Sequence, residues 1–169
     1  MADLQEVYHT TVGRNCVIEL DFAIDRDGLV ADTHAARYRQ FGQWIASCYG
    51  PGPEYNNAAV AATSGVLAGN STASPANSSL TLTVPASNVD GFDRMMIQED
   101  LAHGQRIRSY TVSAFVDGNW KVLASGNSVG NKRIDLLPSA VSTTQVKLEV
   151  TANQAAPVYI RHFGVYSCV

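Results

Sequence analysis

Two hydrophobic periods divide the chain. From Asp32 to Tyr49, the apolar positions Tyr38, Phe41, Ile45 and Cys48 recur at spacings of three and four, with Arg37, Arg39, Gln40 and Gln43 between them. That spacing gathers the apolar side chains on one face and predicts an amphipathic helix. Asp32 or Thr33 is placed to cap its first turn by accepting a backbone N–H bond, and Gly50-Pro51-Gly52-Pro53 ends it. Ahead of it, CVIELDF from Cys16 to Phe22 reads as a strand and Asp25-Arg26-Asp27-Gly28 as a turn.

Past Gly50 the composition shifts to Ala, Ser, Thr, Asn and Val, and short apolar runs replace the helical period. Strands are predicted at about Ala58–Leu67, Ser79–Val84, Arg94–Gln98, Ile107–Val116, Trp120–Ser125, Lys132–Leu136, Thr144–Thr151 and Val158–Tyr166. Asp117-Gly118-Asn119, between TVSAFV and WKVLAS, signals a hairpin. So many short strands separated by turns predict a mainly β fold, an antiparallel β-sandwich or jelly roll, preceded by a strand-helix segment.

At 169 residues and 46% hydrophobic content, the chain can bury one core but not two comfortable domains. The division expected is 1–50 for the strand-helix segment and 51–169 for the sandwich. A net charge of -3 and the lack of a Lys/Arg run argue against nucleic acid as a partner. No apolar stretch reaches the roughly 20 residues needed to cross a bilayer, and MADLQEVYHT lacks the apolar core of a signal peptide, so no membrane partner is expected. Two N-glycosylation patterns, Asn70-Ser71-Thr72 and Asn77-Ser78-Ser79, point toward a secreted, extracellular or lysosomal location. Cys16, Cys48 and Cys168 are too few for a disulfide scaffold and read as buried thiols.

The order of parts after Arg94 resembles the C-terminal discoidin-like, galactose-binding-like domain of family-29 α-L-fucosidases. An apolar strand ends in Gln98-Glu99-Asp100, and Gly104-Gln105-Arg106 enters the next. Trp120, Val129-Gly130, Lys132-Arg133 and a closing Phe163-Gly164-Val165-Tyr166 follow. Upstream, Val12-Gly13-Arg14-Asn15, VIELDF, Asp25-Arg26-Asp27-Gly28-Leu29 and QFGQWI resemble the last strand and helix of the fucosidase barrel. Acidic Glu19 and Asp21, and Cys16 after Asn15, depart from that pattern.

The resemblance implies a retaining glycosidase chemistry that this chain cannot hold by itself. Such enzymes set a carboxylate nucleophile and a carboxylic acid/base about 5–5.5 Å apart. In the family the nucleophile lies on an earlier barrel strand, and a barrel needs at least about 200 residues, whereas the barrel-like part here is Leu4 to Tyr49. No catalytic residues are expected. An isolated barrel strand has two open edges. It must dock on its own sandwich, exchange with a second copy or complete a partner subunit, and self-association is the preferred reading.

A sugar-binding sandwich uses loops at one end, where Arg and His donate to adjacent hydroxyls beside an aromatic face. The candidate carbohydrate-binding residues are Glu99, His103, Gln105 and Arg106 in one loop, Lys132 and Arg133 in a second, and Arg161 and His162 in the final strand. The implied partner is a glycan of fucose or galactose type. The competing readings are an ion pair of Glu99 with Arg106 bracketing the loop, solvated Lys132 and Arg133, and a paired surface Arg161. Trp120 is read as packed under the sandwich, and His9 and His34 as inert. Asp25-Arg26-Asp27-Gly28 is not an EF-hand loop, because His34 stands where the closing Glu belongs. No cofactor is expected; a structural calcium held by backbone carbonyls is compatible with the fold. Two functions besides glycan binding are consistent with this sequence: a structural or adhesive subunit, and an accessory chain of an α-L-fucosidase.

Overall fold

The computed structural model describes residues 1–50, 60–62, 65–67, 76–84, 91–152 and 157–168, with backbone alone for 60–62, 65–67 and 76–78. Among the described residues, helices α1 (Ala2–Thr10) and α2 (Asp32–Tyr49) precede nine short strands. These are β1 (Val60–Ala62), β2 (Gly65–Leu67), β3 (Ala76–Thr83), β4 (Phe92–Glu99), β5 (Ile107–Val116), β6 (Asn119–Gly126), β7 (Arg133–Val141), β8 (Gln145–Ala152) and β9 (Val158–Tyr166). All pair antiparallel in two sheets. In the first, β1 and β2 both flank β9, followed by β4 and β7; the second runs β3-β8-β5-β6.

Alternation along the strands builds the core between the sheets. Val146, Leu148, Val150 and Ala152 of β8 point inward at a period of two, against Met95 and Ile97 of β4 and Ile160, Phe163 and Val165 of β9. The Asp117-Gly118 turn closes β5 onto β6 as expected: both residues have positive φ, 54° and 76°, the geometry of a type I′ turn. Of the strand expected at Ala58–Leu67, β1 and β2 pair with β9 in one register, and 58–59 and 63–64 lie outside the described residues. One sequence expectation is revised here. Trp120 is 39% exposed on the outer face rather than packed in the core, because it pairs across from outward-facing Phe115.

The arm before Gly50 docks on the outer face of the first sheet. There Met96, Ile134 and Tyr166 face outward and are buried under Tyr8 of α1 and Phe41, Cys48 and Tyr49 of α2. Edge-on ring contacts knit the layer: Tyr8 to Trp44 at 5.7 Å and Tyr49 to Tyr166 at 5.4 Å. Each large apolar side chain buried this way contributes roughly 1.5–3 kcal/mol. The apolar stripe is therefore covered within the chain and needs no second copy. Tyr38 departs from the expected stripe: it packs at a tilt against Phe22 and donates its hydroxyl to the Asp21 carbonyl.

The strand expected at Cys16–Phe22 does not form. Arg14 makes one bridge to Arg133 and Ile24 one to Val30, and Val17 between them is 88% exposed. The physical reason is the missing ladder: a barrel strand is held by neighbours on both sides, and among the described residues this segment meets a sheet at a single bridge. The turn after it is as expected, with Asp25 Oδ1 accepting from Asp27 N and Leu29 N at 2.9 Å each. The helix boundaries also agree, but Ala31 is the N-cap and no side chain caps α2. Its end at Gly50 has φ 96°, a left-handed conformation suited to glycine; Pro51, Gly52 and Pro53 lie outside the described residues.

None of the cysteines is the buried thiol expected. Cys48 at the end of α2 and Cys168 just beyond β9 form a disulfide, with Cα atoms 4.6 Å apart, while Cys16 is free and exposed. Docking of the arm brings two cysteines 120 residues apart into reach, which no sequence spacing announces.

Candidate functional site

The loop end of the sandwich is organised by Glu99. A bulge in β4 at Gln98/Glu99 turns this side chain inward, where it is 2% exposed. Its carboxylate accepts from Arg106 N at 2.8 Å and Ile107 N at 3.0 Å with one oxygen, and from Gly130 N at 2.7 Å with the other. Three backbone donors are satisfied by one anion, each such bond contributing about 1.5–3 kcal/mol. Glu99 thus clamps the two expected loops together and has no surface to offer a ligand. It takes the Arg106 backbone, not its guanidinium, so the bracketing ion pair is replaced by a backbone clamp.

The second loop is gripped from two further sides. Gln98 Nε2 donates to the Asn131 carbonyl at 2.8 Å, and Asn131 N donates to Asn15 Oδ1 at 2.6 Å. Asn15 lies so close to Gly130 that any Cβ there would collide with its amide. Gly130 is required for this close approach.

Outside the clamp, exposed His103 and half-buried Arg106 and Tyr159 form a cluster. A single 3-10 turn, Leu101–His103, is capped by Asp100, whose side chain accepts from Ala102 N and also meets His103 Nδ1 at 3.2 Å. The His103 imidazole stacks on the Tyr159 ring at 3.8 Å and 14°. Arg106 donates to the carbonyls of His103 and Pro157, at 3.0 and 2.9 Å, with its guanidinium 5.8 Å from the Tyr159 ring centre. Gln105 is exposed on the same loop. Tyr159 was absent from the sequence candidates; its signal was the period of two from Arg161, which puts both outside the core face of β9.

The other expected residues go elsewhere. Lys132 reaches toward the arm, with its ammonium 6.0 Å from the Tyr8 ring centre. Arg133 pairs with Asp135 at 2.9 Å and lies over Tyr110. Arg161 is exposed, but His162 is buried, with Nε2 2.5 Å from the Tyr166 hydroxyl across Gly164. A Cβ at Gly164 would stand 2.8 Å from that Nε2, so glycine leaves room for the bond. Burial, then the charges of Lys132 and Arg161, lower the His162 pKa to about 4. A neutral, enclosed imidazole is a structural group here.

A second polar centre joins arm to sandwich. Asp135 accepts from the Tyr110 hydroxyl at 2.5 Å, from Arg14 at 3.1 Å and from Arg133. Burial raises its pKa against the pull of Tyr110 and Arg14. The cleft beside it, about 460 Å³, is lined by Glu6, His9 and Arg14 from the arm and by Ser125 and Leu136 from the sandwich. His9, expected to be inert, bonds the Tyr49 hydroxyl at 2.8 Å, and burial lowers its pKa to about 4. Among the described residues, no group of three or more His, Cys, Asp or Glu side chains is arranged to hold a metal ion.

Comparison with known proteins agrees with the architecture. No model of a known protein family matches the chain. A rice protein (Oryza sativa subsp. japonica) carrying the name α-L-fucosidase 1 is 24% identical over 97% of this chain and 34% of its own length. The Arabidopsis thaliana α-L-fucosidase 1 is 25% identical over 96% of this chain and 35% of its own. A crystal structure described as an α-L-fucosidase of Bacteroides thetaiotaomicron superposes with a TM-score of 0.78 and 28% identity, over 98% of this chain and 34% of that one. The chain thus spans about a third of the length of the curated relatives it matches. Along nearly its whole length, the chain is homologous to the C-terminal region of family-29 α-L-fucosidases.

Proposed function

We propose that this chain is a non-catalytic carbohydrate-binding module, with the sandwich as its binding unit and residues 1–50 as a barrel-derived arm that braces it. The observation that carries this reading is the cluster of exposed His103 with half-buried Arg106 and Tyr159 at one end of the sandwich. A guanidinium fork and an imidazole offer donors to neighbouring sugar hydroxyls, and the stacked rings offer a flat edge for the apolar side of a pyranose. Gln105 and Arg161 are the remaining candidates at its margin. Calorimetry with L-fucose, D-galactose and their oligosaccharides tests it, with Arg106→Ala and Tyr159→Ala weakening binding while the fold is retained. No heat of binding at millimolar sugar would overturn it. An aryl fucoside should release no nitrophenol with this chain alone.

One observation favours a second reading, in which the chain works beside a fucosidase barrel. Val17, Phe22, Ile24 and Leu29 are exposed along a segment that forms no ladder. Further polypeptide packed there would remove that apolar surface from water. Co-purification from native material with a catalytic chain checks this, and recovery of the chain by itself would count against it. The disulfide and the two glycosylation patterns support an oxidising, secretory location; Asn70 lies outside the described residues, and Asn77 is on β3.

A further inference from the structure

We infer that the outer face of the β3-β8-β5-β6 sheet is a second binding site, a trough for a neutral oligosaccharide, separate from the loop end. The face holds a cavity of about 480 Å³, within the range of small-ligand sites. Its lining is unusual for a solvent face in being built from short hydroxyls: Ser79 of β3, Thr151 of β8, and Ser109, Thr111 and Ser113 of β5, with Glu149 among them. The register explains the gathering. Ser79 pairs with Glu149 and Glu149 with Thr111, while the next outward row sets Lys147 against Ser113 and Ser113 against Val122 of β6.

Ser113 points to a ligand. It is 3% exposed, it lines the cavity, and its hydroxyl has no hydrogen-bond partner among the described residues. A polar group that deep is ordinarily paired. Beside it, Glu149 and Lys147 form an ion pair at 3.1 Å. Their charges cancel, so the trough favours neither a polyanion nor a cation, while the carboxylate can still accept from two adjacent hydroxyls.

At one end of the face stand two exposed aromatics. Trp120 lies two residues before Val122 on the same side of β6 and meets Phe115 edge-on at 5.3 Å. The Lys147 ammonium lies 4.7 Å from the indole centre, fixing that ring to the rim of the trough. A flat apolar surface next to a row of hydroxyls is the pairing a pyranose presents in mirror: one face of C–H groups, and an equatorial belt of O–H groups. The lining crosses four strands, roughly 14 Å at the usual strand spacing, so a chain of several sugars fits it better than one ring.

The test is amide chemical-shift mapping and calorimetry of the full chain, titrated with neutral galacto- and fucosyl-oligosaccharides of three or more units and with free galactose and fucose. Oligosaccharide should shift the amides of Ser113, Val122 and Glu149. Trp120→Ala and Ser113→Ala should each weaken the affinity read at those amides several-fold or more, without changing the affinity read at the loop end, at His103, Arg106 and Tyr159. Ser113→Ala removes a single hydroxyl and Trp120→Ala an exposed side chain, and an unchanged spectrum elsewhere shows that the fold is intact. Silent amides on this face at high millimolar oligosaccharide, or equal affinity in Trp120→Ala, would sink the trough. Shifts confined to His103, Arg106 and Tyr159 would sink it while leaving the loop-end reading standing; shifts confined to the sheet face would do the reverse.

Discussion

Arg14 Nη1 lies 3.1 Å from Asp135 Oδ1, joining residues 121 positions apart and tying the arm to the edge of the sandwich. The carboxylate is nearly enclosed, whereas the guanidinium is close to half exposed. That asymmetry decides what each partner contributes. Arg14→Ala leaves Asp135 its bonds from Arg133 and Tyr110 and should cost about 1 kcal/mol. Asp135→Ala strands the Tyr110 hydroxyl and leaves two guanidiniums facing each other without their anion, at about 3–5 kcal/mol. Urea denaturation of both variants checks the order, and equal losses would contradict it.

The disulfide pins the end of α2 to the segment after β9. Cys48→Ser with Cys168→Ser should lower unfolding free energy by about 2–5 kcal/mol, since a long loop in the unfolded chain is released. Thiol labelling should find one reactive cysteine, Cys16, in the native protein and three after reduction and unfolding.

Acid should loosen the arm and the outer face of the first sheet. His9 and His162 both have pKa values lowered to about 4 from an ordinary 6.5, chiefly by burial. The unfolded chain therefore binds protons that the native one refuses between those values, and stability falls as pH drops from about 6.5 to 4. Above 6.5 the contribution is complete. For enclosed His162 the loss is on the order of 2–3 kcal/mol. Melting temperature against pH should show the decline, and His162→Gln should flatten part of it.

Glu99 supports the loop end without being available to a ligand. Glu99→Gln replaces an acceptor of three backbone donors by an amide that can serve only one or two, at about 1–3 kcal/mol. Hydrogen exchange should speed up at Arg106, Ile107 and Gly130 together. Exchange unchanged at Gly130 would show that the clamp does not hold the second loop.

Much of the architecture was legible along the chain, because strands and helices announce themselves through local period. The bounds of Ile107–Val116, Val158–Tyr166 and Asp32–Tyr49 agree with the structure, as does the Asp117-Gly118 turn. Helix α1 was not foreseen, since at nine residues ADLQEVYHT repeats its apolar period too few times to be read, and its one buried side chain is Tyr8. Cys16–Phe22 failed as a strand for the opposite reason: its pattern suits a ladder whose neighbours are not at hand.

Of the candidate site, residue types were readable and directions were not. A glutamate seven residues before an arginine suggests an ion pair, and only the β4 bulge turns that carboxylate to three backbone amides instead. Lys132 and Arg133 sit beside the loop in sequence, yet the arm and Asp135 draw them off. The sequence by itself determined that this is a sandwich of short strands with an amphipathic helix ahead of it, because those depend on spacing. Tertiary structure decided that the helix is covered by the sandwich's own outer face, that Cys48 meets Cys168, that His162 is enclosed and that Trp120 is not. Each of these depends on which surfaces meet across more than a hundred residues or on which face of a sheet is left open, and local pattern carries no information about either.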